Sequence, residues 1–314
     1  METYYITGSS KIKYETLATV GFFDGVHCGH RYLIGQMKEQ AQTAGLKTAI
    51  ITFPIHPRKV LQQNYQPKLL NSFEERLQLL ASTGIDYCYV VDFTREFSMI
   101  TACGFIRKIL CNKLKVKELL IGYDHKFGKD RVDTYEQYVA YGKKCGMTVL
   151  KVEQLPETDE HVSSTTIRRM LVEGKMRKAT ALLSYPYALE GEVVHGNHLG
   201  KTIGFPTANL DLNDKDKIIP REGVYAADVE VEGQRYKGMA YIGKRPTVAL
   251  GGELRVEVHI FDFDKDIYGE QLRAEFTDFL RSDIRFDNLD QLKTQLAQDR
   301  RDAINTHQKS IYLP

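Results

Sequence analysis

The 314-residue chain has no tryptophan and no apolar run near the roughly 18 residues that a membrane-spanning helix requires. Its N-terminus lacks an apolar segment preceded by positive charge, so no secretory signal is predicted. The cysteines number five, all lie in the first half, and they lack the spacing of zinc ligands. These absences predict a cytoplasmic protein with reduced thiols, without a disulfide framework and without a membrane partner.

An excess of one charge is also missing, because 43 Lys and Arg stand against 41 Asp and Glu. The residues up to Leu183 carry 26 basic and 19 acidic side chains, net +7, whereas the remainder carries 17 and 22, net −5. A modestly basic first half can attract phosphorylated small molecules. Since the sequence has no basic block and no aromatic-basic RNA motif, no nucleic-acid partner is predicted.

The first half alternates short apolar runs with amphipathic segments. This order predicts a parallel sheet with helices on both faces, the α/β class. The predicted strands cover 17–23, 48–53, 87–91, 118–122 and 148–152, and the predicted helices cover 31–44, 72–82, 101–114, 134–144 and 164–183.

After residue 184 the pattern changes to short, alternating runs punctuated by glycine. Every second residue is apolar in 225–231 and in 254–260, as in strands with one buried face. We therefore predict a small antiparallel β-barrel followed by one helix over 289–305. The predicted domains are 1–183 and 184–314.

Two histidines follow the first predicted strand, in the segment Val20–His30 (VGFFDGVHCGH). Open α/β sheets bind phosphate where a strand turns into a helix, because the helix N-terminus offers free N–H groups. His27 and His30 could both face one anion and stabilise charge that develops on an α-phosphate. The alternative is that both rings only cap the helix, and the strand-loop-helix context favours the phosphate site.

A second polar cluster, Ser163–Arg169, starts the last predicted helix of the first half. Hydroxyls at the start of a helix can cap it, and capping by itself explains two of those in this cluster, which includes Ser164 and Thr165. The functional interpretation adds Arg168, one turn further on, as a charge partner for the phosphates that leave as pyrophosphate.

The stretch 191–210 is rich in glycine, and Gly196 and Gly204 allow tight turns whose N–H groups can face phosphate. No GxxxxGK[ST] phosphate-binding loop occurs in the chain. The Thr207 hydroxyl and the Asn209 side-chain carbonyl are hard oxygen ligands of the kind that Mg²⁺ prefers. The alternative is a set of barrel turns with a capped strand.

Glu257 alternates with Val256 and Val258, so its side chain should point away from the buried face. A carboxylate in that position can accept the proton of a substrate hydroxyl during phosphoryl transfer. A solvated strand glutamate is the alternative.

These motifs resemble those of one enzyme family. Phe23–His30 is similar to the HxGH signature of nucleotidylyltransferases, and Ser163–Arg168 is similar to their second motif. With Gly122–Asp124 they resemble the FMN adenylyltransferase module of bacterial FAD synthetases. Gly200–Asn209 resembles the riboflavin kinase motif nearly throughout, and one departure is Tyr241, where that family usually has Asn.

The resemblance implies a Rossmann-like nucleotidyltransferase domain followed by a riboflavin kinase barrel. It implies that ATP phosphorylates riboflavin to FMN, and that a second ATP adenylylates FMN to FAD with release of pyrophosphate. It implies catalytic roles for His27, His30 and Glu257, and Mg²⁺ held with ATP by Thr207 and Asn209. The other ligand contacts implied are Gly21, Phe23, Asp24, Asp124, Ser164, Thr165, Arg168, Gly196, Lys201, Gly204 and Arg281.

Two further interpretations remain open at the level of the sequence. One is an enzyme that retains a single activity, and the other is a flavin-binding regulator or a nucleic-acid binder. The presence of His27, His30 and Glu257 together argues against a pure sensor. The oligomeric state does not follow from the sequence.

Overall fold

The computed structural model describes residues 1–7, 10, 12–62, 64–122, 126–129, 132–153, 161–196, 199–244 and 254–310. The chain divides into two compact units, Met1–Ser163 and Ser164–Pro314. The units divide before the predicted boundary at 183/184, because the second of the two helices between these positions contacts barrel strands and the first helix packs on the second. The assignment of domains 1–183 and 184–314 stays a prediction.

The first unit is built on a six-stranded sheet with the order β1-β4-β3-β2-β5-β6. Every neighbouring pair is parallel, which confirms the predicted class for this half. Its strands are β1 (Glu2–Ile6), β2 (Thr16–Val20), β3 (Lys47–Thr52), β4 (Tyr87–Val91), β5 (Val116–Ile121) and β6 (Thr148–Lys151). Its helices are α1 (Cys28–Ala44), α2 (Pro57–Leu61), α3 (Phe73–Ala81), α4 (Arg95–Ser98), α5 (Ala102–Gly104), a π-helix (Phe105–Lys113) and α6 (Tyr135–Lys143).

The sheet is buried on both faces because side chains alternate along each strand. In β3, Ile51 packs into one apolar cluster with Tyr89, whereas its neighbour Ile50 packs into another cluster with Leu17 and Val90. Each face therefore has its own core, which holds the carboxyl ends of the strands in place.

Several details of the first unit differ from the prediction. Strand β1 was not predicted, and the expected helix over 101–114 is the short α5 continued by the π-helix. Cys111 of the π-helix and Cys145 lie close together, with their Cα atoms 6.5 Å apart, and the reduced state of the five thiols stays a prediction. Packing of α6 against the π-helix brings these two cysteines together.

The second unit begins with two helices, where the sequence predicts one over 164–183. They are α7 (Ser164–Val172) and α8 (Met176–Leu183). The break lies at Gly174, whose φ of +75° is the left-handed conformation that commonly ends a helix. A Cβ at Gly174 would lie 3.3 Å from the side chains of Arg221 and Phe279, so this turn packs closely on the barrel.

Six antiparallel strands close into a barrel with the order β10-β11-β8-β7-β12-β9, which confirms the predicted barrel. The terminal helix ends at residue 310, five residues beyond its predicted end at residue 305. The elements are β7 (Tyr187–Val194), α9 (Leu199–Thr202), β8 (Ala208–Leu212), β9 (Gly223–Val231), β10 (Gln234–Lys244), β11 (Leu254–Ile260), β12 (Gln271–Arg281) and α10 (Leu289–Ser310).

The two faces of the barrel strands have different roles. Tyr225 and Val258 are fully buried. Ala226 and Met239, from the alternate positions, pack with Ala303 of α10 in a separate apolar cluster. Because successive residues of a strand face opposite sides, Glu257 shares the α10-facing side of the wall and not the side of Val258.

Candidate active sites

The loop between β2 and α1 has an unusual backbone. Phe23, Gly25 and Val26 all have positive φ values, of 58°, 85° and 35°. For a β-branched residue such as Val26 this conformation is unfavourable, and outliers of this kind concentrate at functional sites. Val26 is fully buried and its N–H donates to the carbonyl of Phe23 (3.1 Å), so packing and a hydrogen bond hold the turn.

This turn places both histidines at the start of α1. His27 is the N-cap, and its Nδ1 accepts a hydrogen bond from the backbone N–H of His30 (3.4 Å). The two rings stack, with centroids 3.7 Å apart and planes 16° from parallel. A Cβ at Gly29 would lie 3.3 Å from the His27 ring, so glycine leaves room for that ring against the helix.

The histidine pair is suited to donate hydrogen bonds rather than to carry two charges. Burial, and next the proximity of His27, hold the pKa of His30 well below 6.5. Since His27 Nδ1 is an acceptor, a neutral His27 ring carries its proton on Nε2. The capping role that the sequence left as an alternative is real for His27, and donation by the histidine pair to an anion stays a prediction.

Three predicted contacts of the same loop are built into its packing. Gly21 donates its N–H to the carbonyl of Ile51 (3.0 Å), and Phe23 lies edge-on to His30 with ring centroids 5.1 Å apart. Asp24 is buried and accepts a hydrogen bond from the N–H of Leu70 (2.9 Å). These residues shape the loop, and direct ligand contact by Gly21, Phe23 and Asp24 stays a prediction.

The sequence did not identify Arg76 of α3, which packs against this loop. Its guanidinium is buried, donates to the carbonyl of Phe53 (2.6 Å) and lies 3.8 Å from the centroid of the Phe22 ring. Burial lowers the pKa of Arg76 to about 10, although the nearby Asp24 carboxylate opposes this effect. No pattern in the sequence distinguishes Arg76 from other helix arginines, so only the structure identifies it.

The second predicted motif lies on α7 of the other unit. Ser164 and Arg168 are one turn apart at the start of that helix, and Thr165 between them is exposed. Their role toward pyrophosphate stays a prediction. Asp124 lies outside the described residues, so its expected ligand contact stays a prediction as well.

The glycine-rich stretch forms a compact turn beside β8. Phe205 donates its N–H to the carbonyl of Gly200 (2.8 Å), and Gly204 has a φ of +85°. A Cβ at Gly196 would overlap the side-chain amide of Asn209, so glycine is needed for that close approach. Lys201 lies exposed on α9 in the same turn. Four of the residues predicted to contact ATP are therefore neighbours, although that contact stays a prediction. They are Gly196, Lys201, Gly204 and Asn209.

Three predicted residues meet at the end of this turn. Thr207 Oγ1 donates to Glu257 Oε2 across 3.3 Å, although the residues are 50 positions apart in the chain. Asn209 of β8 pairs directly with Glu257 of β11. Glu257 is partly exposed between buried Val256 and Val258, as the alternation predicts. A hydroxyl, an amide and a carboxylate thus lie side by side on the barrel wall.

Arg281, at the end of β12, forms hydrogen bonds within the protein through three of its N–H groups. Its guanidinium forms a two-point ion pair with Asp299 of α10, with nitrogen–oxygen distances of 2.8 and 2.7 Å. A third N–H donates to the carbonyl of Ser282 (3.1 Å). The prediction that Arg281 contacts a ligand therefore applies to its remaining N–H groups, and Asp299 is a supporting residue that the sequence does not reveal.

The donor set at the barrel edge fits Mg²⁺ bound together with a nucleotide. Within the described ranges, no three His, Cys, Asp or Glu side chains cluster closely enough to hold a metal ion by themselves. Mg²⁺ needs no such cage, because it commonly takes one or two protein oxygens and completes its shell with phosphate and water. Thr207 and Asn209 offer oxygens of that kind.

Two family models match successive parts of the chain. The model described as FAD synthetase matches residues 9–166, and the model described as riboflavin kinase matches residues 183–307. The first range contains both histidines, and the second contains Thr207, Asn209 and Glu257. The matches therefore coincide with the two groups of residues described above.

Proteins named bifunctional riboflavin kinase/FMN adenylyltransferase are similar to the chain along nearly its whole length. The relative from Listeria monocytogenes is 37% identical over 308 residues, covering 96% of this chain and 97% of the relative. The relative from Bacillus subtilis is 36% identical and covers 97% and 98%.

A solved structure has the same fold along the chain. It is described as a macrolide-efflux protein from Streptococcus pneumoniae, is 35% identical, and covers 96% of this chain and 99% of its own with a TM-score of 0.87. In the part of this chain that the structure describes, no helix has both the length and the apolar character needed to cross a membrane.

Proposed function

This chain belongs to the bifunctional riboflavin kinase/FMN adenylyltransferase family, and on that premise we propose that it makes FAD from riboflavin in two ATP-dependent steps. The barrel unit phosphorylates riboflavin, and the residues of the first family match then join FMN to AMP. Both reactions use small-molecule substrates, and a cytoplasmic location belongs to the same proposal.

In the first step the 5′-hydroxyl oxygen of riboflavin forms a bond to the γ-phosphorus of ATP. The bond between that phosphorus and the bridging oxygen breaks, which yields FMN and ADP. Glu257 accepts the hydroxyl proton as general base. Its hydrogen bond from Thr207 holds the carboxylate toward the phosphate-binding turn, and the N–H groups near Gly196 and Gly204 face the phosphates.

In the second step a phosphate oxygen of FMN forms a bond to the α-phosphorus of another ATP. The bond to the β-phosphate breaks, and pyrophosphate leaves. His27 and His30 donate hydrogen bonds to the α-phosphate as its charge grows. Ser164, Thr165 and Arg168 are the proposed ligands of the departing pyrophosphate, since Arg forms strong two-point hydrogen bonds with phosphate.

Mg²⁺ is the proposed metal of the kinase site, with Thr207 and Asn209 as its protein ligands. When bound, the ion neutralises charge on the β- and γ-phosphates. The supporting observation is the chemistry of the donor set, a hydroxyl and an amide oxygen beside Glu257.

One observation carries the proposal: the FAD synthetase and riboflavin kinase models match consecutive ranges of a single chain. The test incubates the full chain with riboflavin, ATP and Mg²⁺, and follows the flavins by chromatography. FMN should appear first and FAD later, with pyrophosphate released, and supplied FMN should also become FAD. Accumulation of FMN without FAD from either start would leave a single kinase activity, and no phosphorylation at all would reject the proposal.

A further inference from the structure

Glu257 is the middle member of a side-chain row that crosses three strands. It pairs directly with Asn209 of β8 on one side and with Tyr241 of β10 on the other. Directly paired residues in antiparallel strands point to the same face, and neighbouring strands lie about 4.8 Å apart. Asn209, Glu257 and Tyr241 therefore form one continuous row on the barrel wall.

The proposed phosphate-binding elements lie on the Asn209 side of this row. The Asn209 amide packs on Gly196, and Thr207 from the same turn reaches Glu257. Phosphoryl transfer requires the attacking and leaving oxygens to lie roughly in line on opposite sides of the transferred group. With ATP on the Asn209 side, the alcohol that attacks must approach Glu257 from the Tyr241 side.

The Tyr241 side chain is held in one place. Its ring lies over the backbone of Gly243, where an added Cβ would overlap the ring and its hydroxyl. Its hydroxyl lies near the carboxylate of Asp283, and that carboxylate accepts the N–H of Ile284 (3.0 Å). Burial, followed by the negative charges of Asp283 and Glu257, raises the pKa of Tyr241 to about 12, so the phenol stays neutral and donates.

We propose that Tyr241 is a positioning residue for the flavin in the kinase reaction, whose fixed ring forms the wall along which riboflavin lies while its 5′-hydroxyl faces Glu257. This inference rests on the proposed kinase function. A neutral, rigid aromatic ring suits a planar heterocycle, because the two can stack with an offset.

The inference includes a hydrogen bond from the Tyr241 hydroxyl to the nearby Asp283 carboxylate, which would orient the ring that packs over Gly243. Removing the hydroxyl and removing the carboxylate should therefore have the same effect, and combining both changes should add little, as expected for two residues in one interaction. Removing the ring should have a larger effect, because the stacking surface itself disappears.

The test measures both activities of the full chain in four variants: Tyr241→Ala, Tyr241→Phe, Asp283→Asn and Tyr241→Phe/Asp283→Asn. Tyr236→Phe is the matched control, since Tyr236 lies on the same strand and its hydroxyl bonds to Gln234 (2.6 Å) away from Glu257. Riboflavin binding is followed separately by quenching of flavin fluorescence.

We expect Tyr241→Ala to raise the KM and the Kd for riboflavin about tenfold. The KM for ATP, the conversion of FMN to FAD and kcat should stay within about twofold, as for loss of binding made equally in ground and transition states. Tyr241→Phe, Asp283→Asn and their combination should each raise the riboflavin KM about threefold, and Tyr236→Phe should change nothing.

An unchanged riboflavin KM in Tyr241→Ala, or a matching rise in the KM for ATP, would overturn the inference. So would additive effects of Tyr241→Phe and Asp283→Asn. A wild-type chain that binds riboflavin but does not phosphorylate it would instead reject the proposed kinase function, and the binding measurement keeps these two failures apart.

Discussion

His259 Nδ1 lies 2.7 Å from the carbonyl oxygen of Pro206, the residue that precedes Thr207. The His259 ring is buried and lies against Phe205, with ring centroids 5.3 Å apart. Because His259 is two residues from Glu257 on β11, this hydrogen bond ties the strand that carries the proposed base to the turn that carries the proposed metal ligand. It explains how residues 50 positions apart remain in contact.

We predict that His259→Ala lowers kcat/KM of the kinase reaction about tenfold, because loss of one buried hydrogen bond leaves the Pro206 carbonyl unsatisfied. Formation of FAD from supplied FMN should not change. Steady-state kinetics of both reactions on the same preparation measure this. Equal loss of both activities would indicate general unfolding and would contradict a specific positioning role.

For Glu257→Gln we expect a decrease in kinase kcat of about 10²- to 10⁴-fold, since the amide cannot accept the hydroxyl proton. FAD formation from FMN should persist. Glu230→Gln is a matched control, as Glu230 is also a partly exposed strand glutamate but pairs with Arg235 (3.7 Å). Full kinase activity in Glu257→Gln would remove Glu257 from its proposed role.

His27→Ala and His30→Ala should have the opposite pattern. We expect FAD formation from FMN to fall about 100-fold or more in each, because a donor to the α-phosphate is lost. Conversion of riboflavin to FMN should continue and serves as the control on the same protein. Chromatography of the flavins distinguishes the products, and FAD formation at the normal rate in either variant would refute the assignment.

Acid should destabilise the fold through its buried histidines. Burial and His27 hold the pKa of His30 well below 6.5, and burial also lowers the pKa of His259. Near pH 6.5 these histidines therefore become protonated in the unfolded chain but stay neutral in the folded chain. Because the unfolded state binds more protons, the free energy of unfolding falls as pH decreases through this value.

Urea unfolding between about pH 7.5 and 5.5 measures this dependence. The His30→Gln variant should show a shallower decline, because one of the titrating groups is gone. A free energy of unfolding that stays constant or rises toward acid would contradict the neutral state of these rings.

The Arg281–Asp299 ion pair should contribute strongly to stability. Asp299 is 2% exposed and Arg281 is 17% exposed, so Asp299→Ala leaves a mostly buried charge without its partner and should cost about 3 kcal/mol. The matched control is Asp262→Asn, which breaks the exposed pair of Arg300 and Asp262 (2.8 Å) and keeps a residue that tolerates the positive φ of 53° at this position, so it should cost less than about 1 kcal/mol. Urea unfolding measures the loss of unfolding free energy in each variant. Equal losses in the two variants would contradict the larger contribution assigned to the buried pair.

Much of the fold was predictable because its signals are local. The alternation of apolar runs with helical segments identified the parallel sheet, and the two-residue period identified the barrel strands. The break between α7 and α8 was missed although its signal is local, since a glycine such as Gly174 commonly ends a helix in the left-handed conformation. The proximity of Cys111 and Cys145 was missed for a different reason, because only helix packing brings these two residues together.

The sequence by itself determined which residue types carry the chemistry, and on which kind of element they lie: histidines after a buried strand, glycines and Thr207 before a barrel strand, and Glu257 opposite an apolar face. These features follow from neighbours along the chain. Tertiary structure alone decided the pairings, namely Thr207 with Glu257, His259 with Pro206 and Arg281 with Asp299. Such pairings depend on strand register and barrel closure, which arise from contacts distributed over the whole unit and not from any local pattern.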